Sequence, residues 1–169
     1  FERSSTINGS DIDIYSVINA SDWKKNDLGE VADQKHKRRA GVWWDVLWRD
    51  TDGKSSQNNS DLFTIIHEIG HALGLKHTFA HPVVDRSLES NTYSLMSYTA
   101  PEEGWYNNLD NWAISHTPML LDVAALQFLY GAQTHNETDT TYSWDETIPF
   151  ASTIWDSSGI DTLDFSNFT

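Results

Sequence analysis

The 169-residue sequence contains no cysteine, which excludes a disulfide framework, a thiolate metal site and a cysteine nucleophile. Basic residues are scarce. The 11 Lys and Arg stand against 25 Asp and Glu, for a formal net charge of -14. A surface of that sign repels phosphates, so nucleic acid is excluded as a partner. It suits a cation-rich medium, where ions screen or bind the carboxylates, or simply the needs of solubility. Long apolar runs are missing too. None approaches the roughly 20 residues that cross a bilayer, so no membrane span is expected. The opening Phe1-Glu2-Arg3 lacks the basic-then-apolar pattern of a secretory leader. With 38% hydrophobic and 21% charged residues, the composition is that of a soluble domain with a core of its own.

Residues 1–19 read as extended, with Ile12, Ile14 and Ser16 on one face of a strand. Residues 21–39 are polar and include the run Lys35-His36-Lys37-Arg38-Arg39, which reads as a solvated loop. Gly41 to Trp48 is β-branched and aromatic, hence a strand, and a polar loop follows to Asn59. Leu62, Phe63, Ile65, Ile66, Ile69 and Leu73 then recur at spacings of three and four, forming one broad apolar helix face. Ser60 is the expected N-cap of that helix. Gly74 is expected to end it, because a residue without Cβ adopts the left-handed conformation at little cost. Thr117-Pro118 predicts the start of a second helix reaching Gly131. That helix is apolar almost all round and therefore expected to be deeply buried. The stretch 78–116 between the helices reads as irregular, and 140–169 as short strands joined by turns.

Chemistry is concentrated in His67-Glu68-Ile69-Gly70-His71-Ala72-Leu73-Gly74-Leu75-Lys76-His77. Residues four apart share a helix face, so His67 and His71 can address one metal ion. Glu68 can reach a water on that metal without being a ligand. Gly74 turns the chain so that His77 returns as a third nitrogen ligand; His81, four residues on, is its competitor. Three neutral imidazoles leave zinc an open position, where water becomes acidic and Glu68 can take its proton. His36, His116 and His135 have no partner at ligand spacing and read as surface or hydrogen-bonded histidines.

This extended pattern is the signature of the metzincin zinc endopeptidases, and the chain resembles their serralysin branch. Ser94-Leu95-Met96-Ser97-Tyr98 fits that branch's methionine turn. The resemblance implies that Met96 packs beneath the imidazoles and that Tyr98 assists the oxyanion; taken alone, Tyr98 is an ordinary packed tyrosine. Thr117 to Ala132 is similar to the last catalytic-domain helix, and Ile154 to Phe165 to the segment leading into a calcium-binding β-roll. By the same resemblance Asp156, Ser158 and Asp161, with Asn136, Thr138 and Thr140, are a candidate calcium site; otherwise they form a solvated acidic turn. Ser158 stands where the family carries glycine. Trp43, Trp44 and Trp48 read as core and rim packing; the resemblance instead makes this strand, at Val42, Trp43 and Trp44, the edge along which a peptide substrate lies.

The resulting expectation is an α+β, metzincin-like fold: a twisted mixed sheet over a zinc-binding helix, with a helical C-terminal subdomain. Residues 1–150 would form the catalytic domain and 151–169 the start of a β-roll. An N-terminal strand and helix and a C-terminal β-roll are expected beyond this chain. The expected function is zinc-dependent cleavage of internal peptide bonds in protein or peptide substrates, with secretion implied by the resemblance. The rival is a zinc-bearing but inactive binding or adhesion module.

Overall fold

The computed structural model describes residues 12–17, 29–33, 44–49, 59–99, 114–115, 117–144 and 150–168. Val42, Trp43, His36, His116 and the basic run lie outside these residues. The chain divides into two compact units, Phe1–His77 and Thr78–Thr169. The secondary structure is mixed α+β in character.

The first unit carries three strands, β1 (Ile12–Val17), β2 (Gly29–Asp33) and β3 (Trp44–Arg49), followed by helix α1 (Asn59–Ala72). The sheet is mixed, in the order β1-β3-β2. β1 runs parallel to β3 with Ile12 opposite Trp44, and β2 runs antiparallel to β3 with Asp33 opposite Trp44. α1 lies against β3 and β2. The polar stretch 21–39, where no strand was expected, therefore contains one. Gly29-Glu30-Val31-Ala32-Asp33 is poor in β-formers, and its pairing with β3 overrides that weak propensity. α1 already includes Ser60, one residue inside the helix rather than at its cap.

Position in the sheet bears on the edge-strand reading at Trp44 alone, since Val42 and Trp43 lie outside the described residues. Trp44 belongs to the central strand, hydrogen-bonded to neighbours on both sides. Among the described strands β3 is therefore not an edge, and the edges are β1 and β2.

Among its described residues the second unit holds both helix and strand. It holds a 3-10 turn at Arg86–Leu88, β4 (Ile114–Ser115), helix α2 (Leu120–Tyr130), β5 (Thr141–Ser143), β6 (Phe150–Ala151) and β7 (Thr162–Asp164). β4 pairs with β6 and β5 with β7, both in parallel. α2 begins two residues later than Pro118 suggests. Asp122, in its first turn, accepts the Met119 N–H at 2.8 Å and so caps the helix there. Thr117 instead accepts the Thr153 N–H through its hydroxyl at 2.9 Å. Nor is α2 deeply buried. Leu120, Phe128, Leu129 and Tyr130 are exposed, and Asp122 is the buried residue of the helix. Among the described residues of this unit the buried apolar side chains are Leu95, Met96 and Met119.

Candidate metal centre

Half-buried apolar residues of α1 bring His67 and Glu68 to the interior; these two are 4% and 8% exposed. The helix then closes in a Schellman turn. The Leu75 N–H donates to the Gly70 carbonyl and the Gly74 N–H to the His71 carbonyl, both at 2.9 Å. Gly74 has φ +95°, which only a residue without Cβ adopts freely. The reversal returns His77 to the two helical histidines, as its spacing predicts.

Nε2 of His77 lies 3.3 Å from Nε2 of His67 and 3.1 Å from Nε2 of His71. The rings of His71 and His77 meet edge-on, as do those of His67 and His71. Two nitrogens about 2.0–2.1 Å from one ion at the tetrahedral angle stand about 3.3 Å apart, so the three imidazoles fit zinc. Among the described residues these are the His, Cys, Asp or Glu side chains that converge in a group of three or more. His81 is exposed and takes no part.

The protonation state suits a ligand. Nδ1 of His71 is 2.9 Å from the Leu75 carbonyl. A carbonyl can only accept, so Nδ1 carries a proton, and in the neutral ring this leaves Nε2 as the nitrogen available to a metal. Burial, and then the neighbouring His71, hold His77 below the ordinary histidine range and favour its neutral form.

In the second unit, the stretch Ser94–Tyr98 is a tightly held turn. Ser94, Leu95, Met96 and Ser97 are all nearly inaccessible. Two carboxylates fasten it. Asp122 accepts the Ser94 hydroxyl at 2.6 Å and the Leu95 N–H at 2.7 Å, and the Ser94 hydroxyl oxygen accepts the Met96 N–H at 3.0 Å. Burial pushes the Asp122 carboxyl up, against the pull of its hydrogen bonds from Ser94, Leu95 and Met119. Glu89 accepts the Ser97 hydroxyl at 2.7 Å and the Thr78 hydroxyl at 2.9 Å, together with the Thr99 hydroxyl. Its bonds from Ser97 and Thr99 hold Glu89 below the usual carboxylate range. Tyr98, between them, is 68% exposed, with its ring 5.1 Å from that of Phe79. Sequence reasoning missed both carboxylates. Asp122 left a signal, a lone acid in the first turn of an apolar helix; Glu89 left none.

The candidate calcium residues lie in two apposed turns. The Thr140 N–H donates to Asp161 at 3.0 Å, the Ser158 hydroxyl to the Glu137 carbonyl at 2.9 Å, and the Ile160 N–H to Asp139 at 2.9 Å. Asp156 accepts from the Tyr142 phenol and the Ser158 N–H, and Asn136 donates to that same phenol oxygen. Gly159, at φ +124°, lies so close to Thr138 that a Cβ would meet its carbonyl carbon at 2.8 Å. Asp156 and Asp161 are thus engaged by N–H and O–H donors, and among the described residues they join no converging group of acidic ligands.

No protein-family model matches the chain, and no solved structure matches it significantly. Curated proteins do. A serralysin of Photorhabdus sp. (strain Az29) is 31% identical over 158 residues, covering 78% of this chain and 32% of the relative. Metallopeptidase AprA of Pseudomonas marginalis is 36% identical over 141 residues, covering 66% and 28%. A serralysin of Proteus mirabilis is 34% identical over 132 residues, covering 65% and 26%. The chain thus spans about a third or less of the length of these relatives. With the ordered motif and its converged imidazoles beside these matches, the chain belongs with the serralysin-like metzincins.

Proposed function

We propose that the chain carries the centre of a zinc-dependent endopeptidase that cleaves internal peptide bonds of proteins. The observation that carries this reading is the convergence of three Nε2 atoms, with the buried Glu68 next in the chain to His67. His67, His71 and His77 would hold the ion. Zinc, when bound, supplies a Lewis acid that makes water acidic enough to attack a carbonyl near neutral pH.

The chain's own residues then handle the proton and the charge. Glu68 takes the proton of the attacking water on its carboxylate and passes it to the leaving amine nitrogen. The Tyr98 phenol donates to the oxyanion formed at the carbonyl, a role taken from the family resemblance. Met96 is the apolar element of the turn that presents Tyr98. A peptide would add along β2, whose outer side is unpaired among the described strands, gaining backbone hydrogen bonds by strand addition.

The reading extends to calcium at Asp156, Ser158 and Asp161 with Asn136, Thr138 and Thr140, supported by the apposition of their two turns. It also extends to a secreted setting, and to a catalytic domain over 1–150 followed by the start of a β-roll. The inactive-module reading is less economical, since Glu68 stays buried at the motif position where it would move a proton. Chelation tests the proposal directly. Stripping metal from the purified chain should abolish peptide hydrolysis, and added zinc should restore it. Hydrolysis that persists in the stripped chain would contradict the proposal.

A further inference from the structure

Glu89 follows the 3-10 turn at Arg86–Leu88 and gathers three hydroxyls from separate stretches of chain. Oε1 accepts from Thr78 at 2.9 Å and from Ser97 at 2.7 Å, and Oε2 accepts from Thr99. A carboxylate has only acceptor capacity and each hydroxyl has one hydrogen to give, so all three donors are satisfied. Hydrogen bonds to an ionised acceptor are the stronger kind.

The identity of the three donors matters. Thr78 is the residue immediately after His77; it is buried, and its N–H donates to the Met96 carbonyl at 3.3 Å. Ser97 and Thr99 are the two chain neighbours of Tyr98. Ser97 is fully buried, and its hydroxyl oxygen also accepts the Thr99 N–H at 3.0 Å. One side chain therefore fixes the residue that leaves the third histidine and both residues that flank the tyrosine.

We infer that Glu89 is a positioning residue of the zinc site, restraining His77 through Thr78 and Tyr98 through Ser97 and Thr99. The inference rests on the zinc endopeptidase reading above. It gives Glu89 no contact with metal or substrate. Without the tether, the main chain after His77 samples more orientations, and so does the imidazole it carries. An ion held by that imidazole then leaves sooner.

The test uses the full chain loaded with zinc and follows how fast a strong chelator strips it. Parent, Glu89→Ala, Thr78→Val and the double variant are compared, with circular dichroism as the check on folding. Glu89→Ala should lose zinc faster by roughly 10–100-fold, the usual consequence of removing a residue that orients a ligand. Thr78→Val should act in the same direction, and the double variant should lose zinc no faster than Glu89→Ala alone. Peptide hydrolysis should show a lower kcat at nearly unchanged KM. A folded Glu89→Ala chain that keeps zinc within about twofold of the parent's rate would overturn the inference, given that expected range. Additive effects of the two substitutions would overturn it as well. If Glu89→Ala does not fold, Thr78→Val carries the test, because it keeps the branched shape and loses only the hydroxyl; zinc loss at the parent's rate in that variant overturns the inference. A parent that binds no zinc overturns the endopeptidase reading itself, whereas a zinc-loaded parent with unaffected variants overturns only the role of Glu89.

Discussion

The Leu75 carbonyl accepts the Nδ1 proton of His71 at 2.9 Å. The turn that ends α1 thereby selects the tautomer of a histidine one turn back. Leu75 reaches that place because Gly74 takes φ +95° and lets the Leu75 N–H close on the Gly70 carbonyl. Sequence, turn and ligand chemistry are joined at this one residue.

Replacing Gly74 with Ala should therefore cost about 1–2 kcal/mol, the penalty for a Cβ in left-handed backbone. No atom lies within 4 Å of the added carbon, so the cost is conformational and not a clash. Denaturant unfolding of the metal-free chain reads it, and zinc titration should show weaker binding in the same variant. Gly74→Asn should cost less, since Asn tolerates this region better. An alanine variant as stable as the parent would mean that the turn is not held as described.

Tyr98→Phe should keep its zinc and turn over more slowly. Tyr98 is exposed, so losing one oxygen takes little from the packing of the chain. Steady-state hydrolysis with zinc content measured in parallel separates the two effects. Unchanged activity across the pH range would reduce Tyr98 to a packing residue.

Asp122 answers three donors, the Ser94 hydroxyl and the N–H groups of Leu95 and Met119. Asp122→Ala leaves all three buried without their acceptor and should cost on the order of 3 kcal/mol. Asp122→Asn should cost much less, because its carbonyl can still accept both N–H groups while its amide donates to the Ser94 oxygen. The pH dependence has a definite sign. With its pKa raised by burial, Asp122 contributes stability that is complete below the ordinary carboxylate range and lost as pH rises through its higher folded value. Melting curves of the Asn variant should lack that descent. A parent whose stability only climbs across this window would contradict the assignment, provided the Asn variant climbs alike.

Calcium should raise the melting midpoint of the parent, as any ligand that binds only the folded state does. Asp156→Asn with Asp161→Asn should remove the increment and leave zinc content intact. Equal shifts in parent and double variant would place the effect away from these turns.

Much of the metal centre was legible in the sequence because its rules are local. The four-residue spacing of His67 and His71, the turn at Gly74 and the return of His77 all act within eleven residues, and helix geometry alone connects them. What was not legible depends on distant partners. β2 forms because β3 pairs with it, although Gly29–Asp33 has little strand propensity of its own. The edge reading at Trp44 came from the family resemblance, and the central place of β3 among the described strands depends on partners distant in sequence. The start of α2 was misplaced at Thr117-Pro118 because the cap comes from Asp122, while the Thr117 hydroxyl answers Thr153 instead. Glu89 binds Thr78, eleven residues away in an irregular stretch, where no periodicity marks either partner.

The central claim is that three histidines hold zinc while Glu68 moves the proton. Zinc content and peptide hydrolysis, measured together on the parent and on Glu68→Gln, test it most directly. Both proteins should hold one zinc per chain, and the variant should hydrolyse peptide ~10²–10⁴-fold more slowly, the usual contribution of a general base. A variant that keeps its zinc and cleaves at the parent's rate would contradict the role of Glu68, and a parent without zinc would contradict the site itself.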